Sequence, residues 1–186
     1  MQYDSATKFS PVTLLLHWVV GLTILGMLAT GIYMAEEGVY SLFPIHKATG
    51  FILLFVALAR VVWRMKNGWP TPAGQYASWE HTLATVVHWV LIVSTLLMPI
   101  SGLMGSVLGG HGLDVFGLEV FAPNFSVEDP EKTLPINYAL SKLGSAIHFY
   151  LGYTLIAALV LHIAGALKHH LVDKDGTLKR MLGKQI

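Results

Sequence analysis

The chain has 186 residues, of which 54% are hydrophobic and 12% charged. A soluble domain carries about twice that charge fraction, so the composition excludes an ordinary globular protein and indicates an integral membrane one. There is no cysteine, which excludes thiolate metal sites, iron–sulfur clusters and structural disulfides. The formal net charge of +1 says nothing about partners, and no nucleic-acid partner is expected.

In chain order, residues 1–10 form a short polar tail. Ser10-Pro11 then predicts a helix start, with serine as N-cap and proline at the first helical position, where its missing N–H costs nothing. Val12 to Met34 is free of charge for 23 positions, enough to cross about 30 Å of hydrocarbon. It is far longer than the apolar core of a signal peptide and is read as a retained span. Glu36, Glu37 and Gly38 close it. A second span begins at Ile45-His46-Lys47 and ends at Arg60, Arg64 and Lys66. After the loop NGWPTPAG, Trp79-Glu80-His81 opens a third span, with Pro99 in its last third. Gly105 to Asn137 is a glycine-rich connection whose apolar segment VFGLEVF is expected to lie on the membrane surface. The fourth span carries the stretch IHFYLGYTLIAALVLHIAGALKHH, and a basic tail follows from Lys168. The spans are placed at approximately 11–35, 45–66, 79–104 and 140–170. The expected fold is an all-α, four-transmembrane-helix up-down bundle.

Four spans put both termini on one side. The N-terminal tail, the 60–80 loop and the C-terminal tail hold Lys8, Arg60, Arg64, Lys66, Lys168, Lys174, Lys179, Arg180 and Lys184; the opposite side holds Lys47, Lys132 and Lys142. Nine basic residues against three predict cytoplasmic termini.

That topology gives each histidine a depth. His17 and His162 lie towards the cytoplasmic side, His46 and His148 towards the other. His148 and His162 are fourteen residues apart, about 21 Å along a helix and on one face of it. Imidazoles inside a membrane need partners and mark functional sites. The natural pairs are His17 with His162 and His46 with His148. Two bis-histidine sites stacked across a bilayer suit a transmembrane electron carrier with haem iron between axial imidazoles. Gly21, Gly50 and Gly152 each follow a candidate ligand by four residues, and so share its face. A flat macrocycle needs that clearance and a bare ion does not; close helix packing is the competing explanation. His162 departs from the pattern, with Gly165 at three and Ala166 at four.

Arg60 falls fourteen residues after His46. It is placed either to pair with a haem propionate or to snorkel to the headgroups. His88 and His169 could line a quinone headgroup pocket; the alternative is two polar residues at the interface. Trp18, Trp63, Trp79 and Trp89 are read as interface anchors and packing.

With SPVTLLLHW at 10–18, IHKATG at 45–50, RVVWRMKNGWPTP at 60–72, the His148/His162 pair and KHHLVDKDGTLKRML at 168–182, the chain resembles the prokaryotic cytochrome b561 family. That family is related to the di-haem cytochrome b subunits of hydrogenases and formate dehydrogenases. The resemblance covers essentially the whole chain and implies one domain over residues 1–186. It implies two haem b groups held by the four paired histidines, electron exchange with quinone, and a place in the bacterial inner membrane. The small stand-alone members of the family include a branch that resembles a superoxide oxidase, passing electrons from periplasmic superoxide to ubiquinone. The other reading is a haem-containing membrane anchor that docks a redox protein partner of a hydrogenase or dehydrogenase. Against superoxide stands an acidic outer face, with Glu36, Glu37, Asp114, Glu119, Glu128, Asp129 and Glu131 against three lysines. An anion is better served by a positive funnel, and Lys47 beside His46 is the local candidate for one. A divalent-metal transporter would carry intramembrane carboxylates beside its histidines, and these spans hold none.

Overall fold

The computed structural model describes residues 3–186 of the chain; Met1 and Gln2 of the polar tail lie outside the described residues. Helix α1 is Pro11–Glu37, α2 Phe43–Asn67, α3 Ser78–Leu108, α4 Tyr138–Leu171 and α5 Thr177–Met181, with a two-stranded hairpin, β1 Leu113–Val115 and β2 Leu118–Phe121, between α3 and α4. Among the described residues, α1, α3, α4 and the Tyr40–Asn67 segment are long and apolar enough to cross a membrane. The four spans predicted from sequence are therefore present.

Their ends differ from expectation for local reasons. Helix α1 starts as predicted, the Ser10 side chain accepting from Thr13 N, and stops at Gly38, whose left-handed φ of 65° closes it. Helix α2 starts at Phe43, two residues early, because a 3₁₀ turn at Tyr40–Leu42 runs straight into it and Pro44 suits its first turn. Helix α3 continues four residues beyond Met104, through Gly105, which was expected to start the loop.

Gly105 of α3 and Gly144 of α4 build a close seam between these two helices. A Cβ on Gly105 would lie 2.8 Å from Ser145 Oγ, and one on Gly144 would lie 2.7 Å from Gly105 N and 2.9 Å from Ser101 O. Ser141 Oγ donates to Gly105 O at 2.8 Å across the same seam. Small residues let two membrane helices touch backbone to backbone, where lipid supplies no hydrophobic drive. The seam holds α4 in register with α3 and so fixes the height of His148.

The core is narrow. Val20, Ile24 and Leu53 form its centre, and Leu155 of α4 is fully buried. Leu15, Leu22, Ile32, Phe55, Val160 and Leu161 are exposed, the arrangement expected where hydrocarbon surrounds the protein.

The two ends of the bundle are finished differently. At one end the connection after α3 forms the β1–β2 hairpin, whose turn places Phe116 at φ 52° and Gly117 at φ 96°, the geometry of a two-residue primed turn. Leu113 is buried, while Phe116 and Leu118 at the tip are exposed. Lys47 Nζ donates to His111 O at 3.2 Å and Gly112 O at 3.1 Å, tying this segment to the start of α2. At the other end the two chain tails fold against the bundle. Asp4 accepts from Ser10 N at 2.8 Å, Thr13 Oγ1 at 3.1 Å and Arg64 Nη2 at 3.3 Å. Buried Arg180 donates to Ala6 O and Thr71 O, and Ile186 N donates to Thr7 O. These are referred to below as the hairpin end and the tail end. Trp63, read from sequence as an interface anchor, is buried: its Nε1 donates to Thr13 Oγ1 at 2.8 Å and its ring stacks on Tyr3.

Candidate functional site

Four helices each present histidine to the bundle interior or its flank, and the structure brings them together in two groups. At the hairpin end His46 of α2 faces His148 of α4 with ring centroids 6.2 Å apart. At the tail end His17 of α1 faces His162 of α4, also at 6.2 Å. A metal–imidazole bond of about 2 Å puts a ring centroid about 3 Å from the metal, so two imidazoles on opposite sides of one ion should stand about 6 Å apart. Both pairs meet that distance. His88 of α3 lies 5.3 Å from His162, close to 1 Å too short for the same role.

The surroundings test whether a flat cofactor fits. A cavity of about 270 Å³ opens beside His46, lined by residues of α1, α2 and the turn before α2, including Gly26, Met27, Thr30 and Thr49. A Cβ on Gly50 would meet only the Met27 Cε at 3.4 Å, and one on Gly152 only the Met98 Cε at 3.5 Å; both are the free ends of flexible side chains. Gly21 and Gly165 have no atom within 4 Å of such a Cβ. Contact with protein atoms therefore does not account for glycine at these positions near the histidines, whereas a porphyrin face would. The donor set fits haem, a planar group with two axial positions.

The hairpin-end imidazoles are oriented through their second nitrogen. His148 Nδ1 lies 2.9 Å from Met98 O. A carbonyl only accepts, so Nδ1 carries the hydrogen and Nε2 keeps its lone pair for a metal. A Cβ on Gly102 would lie 3.0 Å from the His148 ring, so the α3 seam provides both the acceptor and the room. Thr30 Oγ1 lies 3.5 Å from His46 Nδ1 and donates its own hydrogen to Gly26 O or Met27 O, leaving oxygen lone pairs towards the imidazole. At the tail end Arg60 Nη2 lies 3.4 Å from His17 Nδ1. A guanidinium only donates, so no acceptor fixes the ring there.

Arg60 therefore stands at the tail-end pair, at the depth expected from its spacing to His46. His169 stands apart: its Nδ1 is 2.7 Å from Asp173 Oδ2 and 3.6 Å from Asp175 Oδ2, and its ring lies 4.3 Å from that of Tyr76. Sequence reading missed the Met98 carbonyl, the Lys47 latch and this carboxylate cluster. The first was unreadable because backbone acceptors leave no mark in side-chain identity. The cluster did have a signal, the His169-x-x-x-Asp173-x-Asp175 spacing, which brings carboxylates back to the end of a helix.

Four apolar spans with imidazoles paired at two depths define the class of multi-pass membrane cytochromes. The chain matches the sequence model of prokaryotic cytochrome b561 over residues 8–184 and belongs to that family. It is 32% identical to cytochrome b561 homolog 2 of Escherichia coli over 97% of this chain and 94% of that protein, and 25% identical to homolog 1 over 96% and 98%. It is 26% identical to a Yersinia pestis protein named "Probable superoxide oxidase CybB", over 96% of this chain and 97% of that one. Membership implies b-type haem and haem-based electron transfer in a bacterial membrane.

Proposed function

We propose that the protein carries electrons across the inner membrane through two b-type haems, from a donor at the hairpin end to quinone at the tail end. His46 and His148 would hold one haem, His17 and His162 the other. The single observation that carries this reading is the equal 6.2 Å separation of two histidine pairs at opposite ends of one bundle. Haem iron held by a histidine pair would supply reversible one-electron chemistry with little tendency to bind oxygen.

The residues around each pair do the remaining work. Met98 O and Thr30 Oγ1 orient the hairpin-end imidazoles and raise their basicity. At the tail end, ligation through His17 Nε2 would leave a hydrogen on Nδ1, so Arg60 would lose that acceptor. Its guanidinium would then need a different acceptor, which favours a propionate partner over snorkelling. The excess of Lys and Arg at the tail end supports cytoplasmic termini and a hairpin end facing the periplasm. Superoxide is the donor suggested by the name of the Yersinia pestis relative. The Lys47 ammonium is available locally despite the acidic surroundings, although its hydrogen bonds are given to the hairpin segment.

The test combines stoichiometry with kinetics. Pyridine haemochrome analysis of purified protein should give two haems per chain. Stopped-flow mixing with superoxide should reduce the haem bands, and quinone should reoxidise them. One haem per chain, or bands indifferent to quinone, contradicts the proposal.

A further inference from the structure

The two ends of the bundle use their charges differently. The ion pairs among the described residues, Arg64 with Asp4, Lys168 with Glu80 and Asp173, and His169 with Asp173 and Asp175, all lie at the tail end. The seven hairpin-end carboxylates counted from the sequence are exposed, and none of them is ion-paired among the described residues. The lysines of that end do little to neutralise them. Lys47 gives its hydrogens to His111 O and Gly112 O, and Lys142 lies over the Tyr138 ring. The face keeps a negative field that reaches into solvent.

Two of these carboxylates stand at a cavity. Asp114 of β1 is paired with Glu119 of β2, and like charges opposite one another across strands are destabilising. A cation beside them relieves that cost. The cavity, of about 240 Å³, lies between the hairpin and the start of α2; Asp114 and Glu119 line it, and Pro44, Leu113, Phe121 and Pro123 give it apolar walls. Such a space suits a lysine or arginine side chain, its stem along the apolar walls and its head at the carboxylates. A bare metal ion is served less well: among the described residues, the three-residue cluster whose ligand atoms lie close enough for one is at the tail end. Beside the hairpin, a turn closed by Ser126 N to Lys132 O carries Glu128, Asp129 and Glu131 next to Val127, which is 99% exposed. Asn124 N donates to Gly110 O and Thr133 Oγ1 lies 3.2 Å from His111 Nδ1, which joins turn and hairpin into one layer. Apolar contacts inside a charged rim are the anatomy of a protein interface.

We propose that the hairpin end is a docking surface for a soluble one-electron redox protein with a basic face, one of whose lysine or arginine side chains enters the cavity at Asp114 and Glu119. The inference rests on the reading that electrons enter at the hairpin end, and it names a carrier for them. The cavity is next to the entry point, because Pro44 and Lys47 of its wall flank His46 in the chain. One electron leaves the reduced partner and enters the bundle; the partner is oxidised by one electron, and no bond or proton changes place. The acidic field steers a basic partner to this end and speeds encounter more than it tightens the complex. Superoxide, a small anion, needs no docking surface and is repelled by this one.

The experiment runs the exchange in reverse, with lysine-rich ferricytochrome c as the probe. Full-length protein in neutral detergent is reduced with dithionite, desalted under argon and mixed by stopped flow with ferricytochrome c or with ferricyanide. The ratio of the two rates at low salt is the readout. Asp114→Asn with Glu119→Gln should lower it at least about tenfold. Asparagine keeps an oxygen for Gly117 N, which donates to Asp114 Oδ1 at 2.8 Å, so the hairpin still folds. Ferricyanide is an anion, and the same substitutions should speed its reaction. Added salt should slow ferricytochrome c with the wild type and close the gap between wild type and variant. Fully acetylated ferricytochrome c, with its lysines neutral, should be slow and indifferent to salt. A wild-type ratio in the variant overturns the inference, as does acetylated cytochrome c that reacts as fast as the native form at low salt. If the reduced protein reacts with neither oxidant, the electron-transfer reading itself fails and takes this inference with it.

Discussion

The two histidine pairs have the same separation and different neighbours. At the hairpin end a backbone carbonyl and a threonine oxygen accept from the imidazoles. At the tail end a guanidinium reaches His17 and a third imidazole, His88, lies beside His162. Hydrogen-bond acceptors push electron density through an imidazole onto its metal and favour the oxidised state. A nearby cation favours the reduced state. On the proposed reading of one haem at each pair, both differences would make the tail-end haem the stronger electron acceptor and would bias flow from the hairpin end towards the tails. Residue identity alone, histidine in all four cases, would have predicted two equivalent pairs.

The largest effects should come from removing a ligand. His46→Ala or His148→Ala should cost the hairpin-end haem, and His17→Ala or His162→Ala the tail-end one, each halving haem per chain by pyridine haemochrome. Loss of both haems from every single variant would dissolve the distinction between the ends. Gly102→Val comes next. Its Cβ would sit 3.0 Å from the His148 ring, so haem affinity at the hairpin end should fall about 10- to 100-fold with the tail end occupied normally, measured by haem titration of the apoprotein.

Arg60→Leu sharpens the electrostatic half of the comparison. A unit charge about 10 Å from iron at an effective dielectric constant of about 20 is worth roughly 1–2 kcal/mol. The tail-end potential should therefore drop by about 50–100 mV, read by redox titration, and the hairpin-end potential should hold. The smallest effect concerns the way the ends are fastened. Burial opposes ionisation of Asp4, but Ser10 N–H, the Thr13 hydroxyl and Arg64 outweigh it and hold its carboxyl below the ordinary value. The folded pKa is lower than the unfolded one, so the unfolded state binds more protons in acid. Stability from Asp4 is complete above the unfolded value and is lost as pH falls through the folded one. Acid should release the N-terminal tail at a cost of about 1–2 kcal/mol, seen as faster hydrogen exchange at Ser10 and Thr13, and Asp4→Asn should remove the pH dependence. The Lys47 latch at the hairpin end, made to carbonyls, should not respond.

Much of this was legible in the chain because membrane helices write their length and their costly residues plainly. The four spans follow from uncharged runs, and the pairs from the fourteen-residue spacing of His148 and His162. The i+4 glycines pointed to room beside the histidines; the space is open at Gly21, and at Gly50 and Gly152 only a methionine methyl borders it. The β1–β2 hairpin was legible in Phe116-Gly117, a turn between the short segments LDV and LEVF, but the apolar content of VFGLEVF drew attention to its surface and not to its strands. The Asp4 clasp and the buried Trp63 escaped notice for another reason: they depend on contacts between segments sixty residues apart, which no local pattern encodes.

Potentiometric titration of the haem α-band, in the wild type and in His148→Ala and His162→Ala, tests the central claim most directly. The wild type should titrate in two one-electron steps. His148→Ala should keep only the step at higher potential, and His162→Ala only the lower. A single step in the wild type, or variants that retain the opposite steps, would contradict the assignment of two unlike haem sites to the two ends of the bundle.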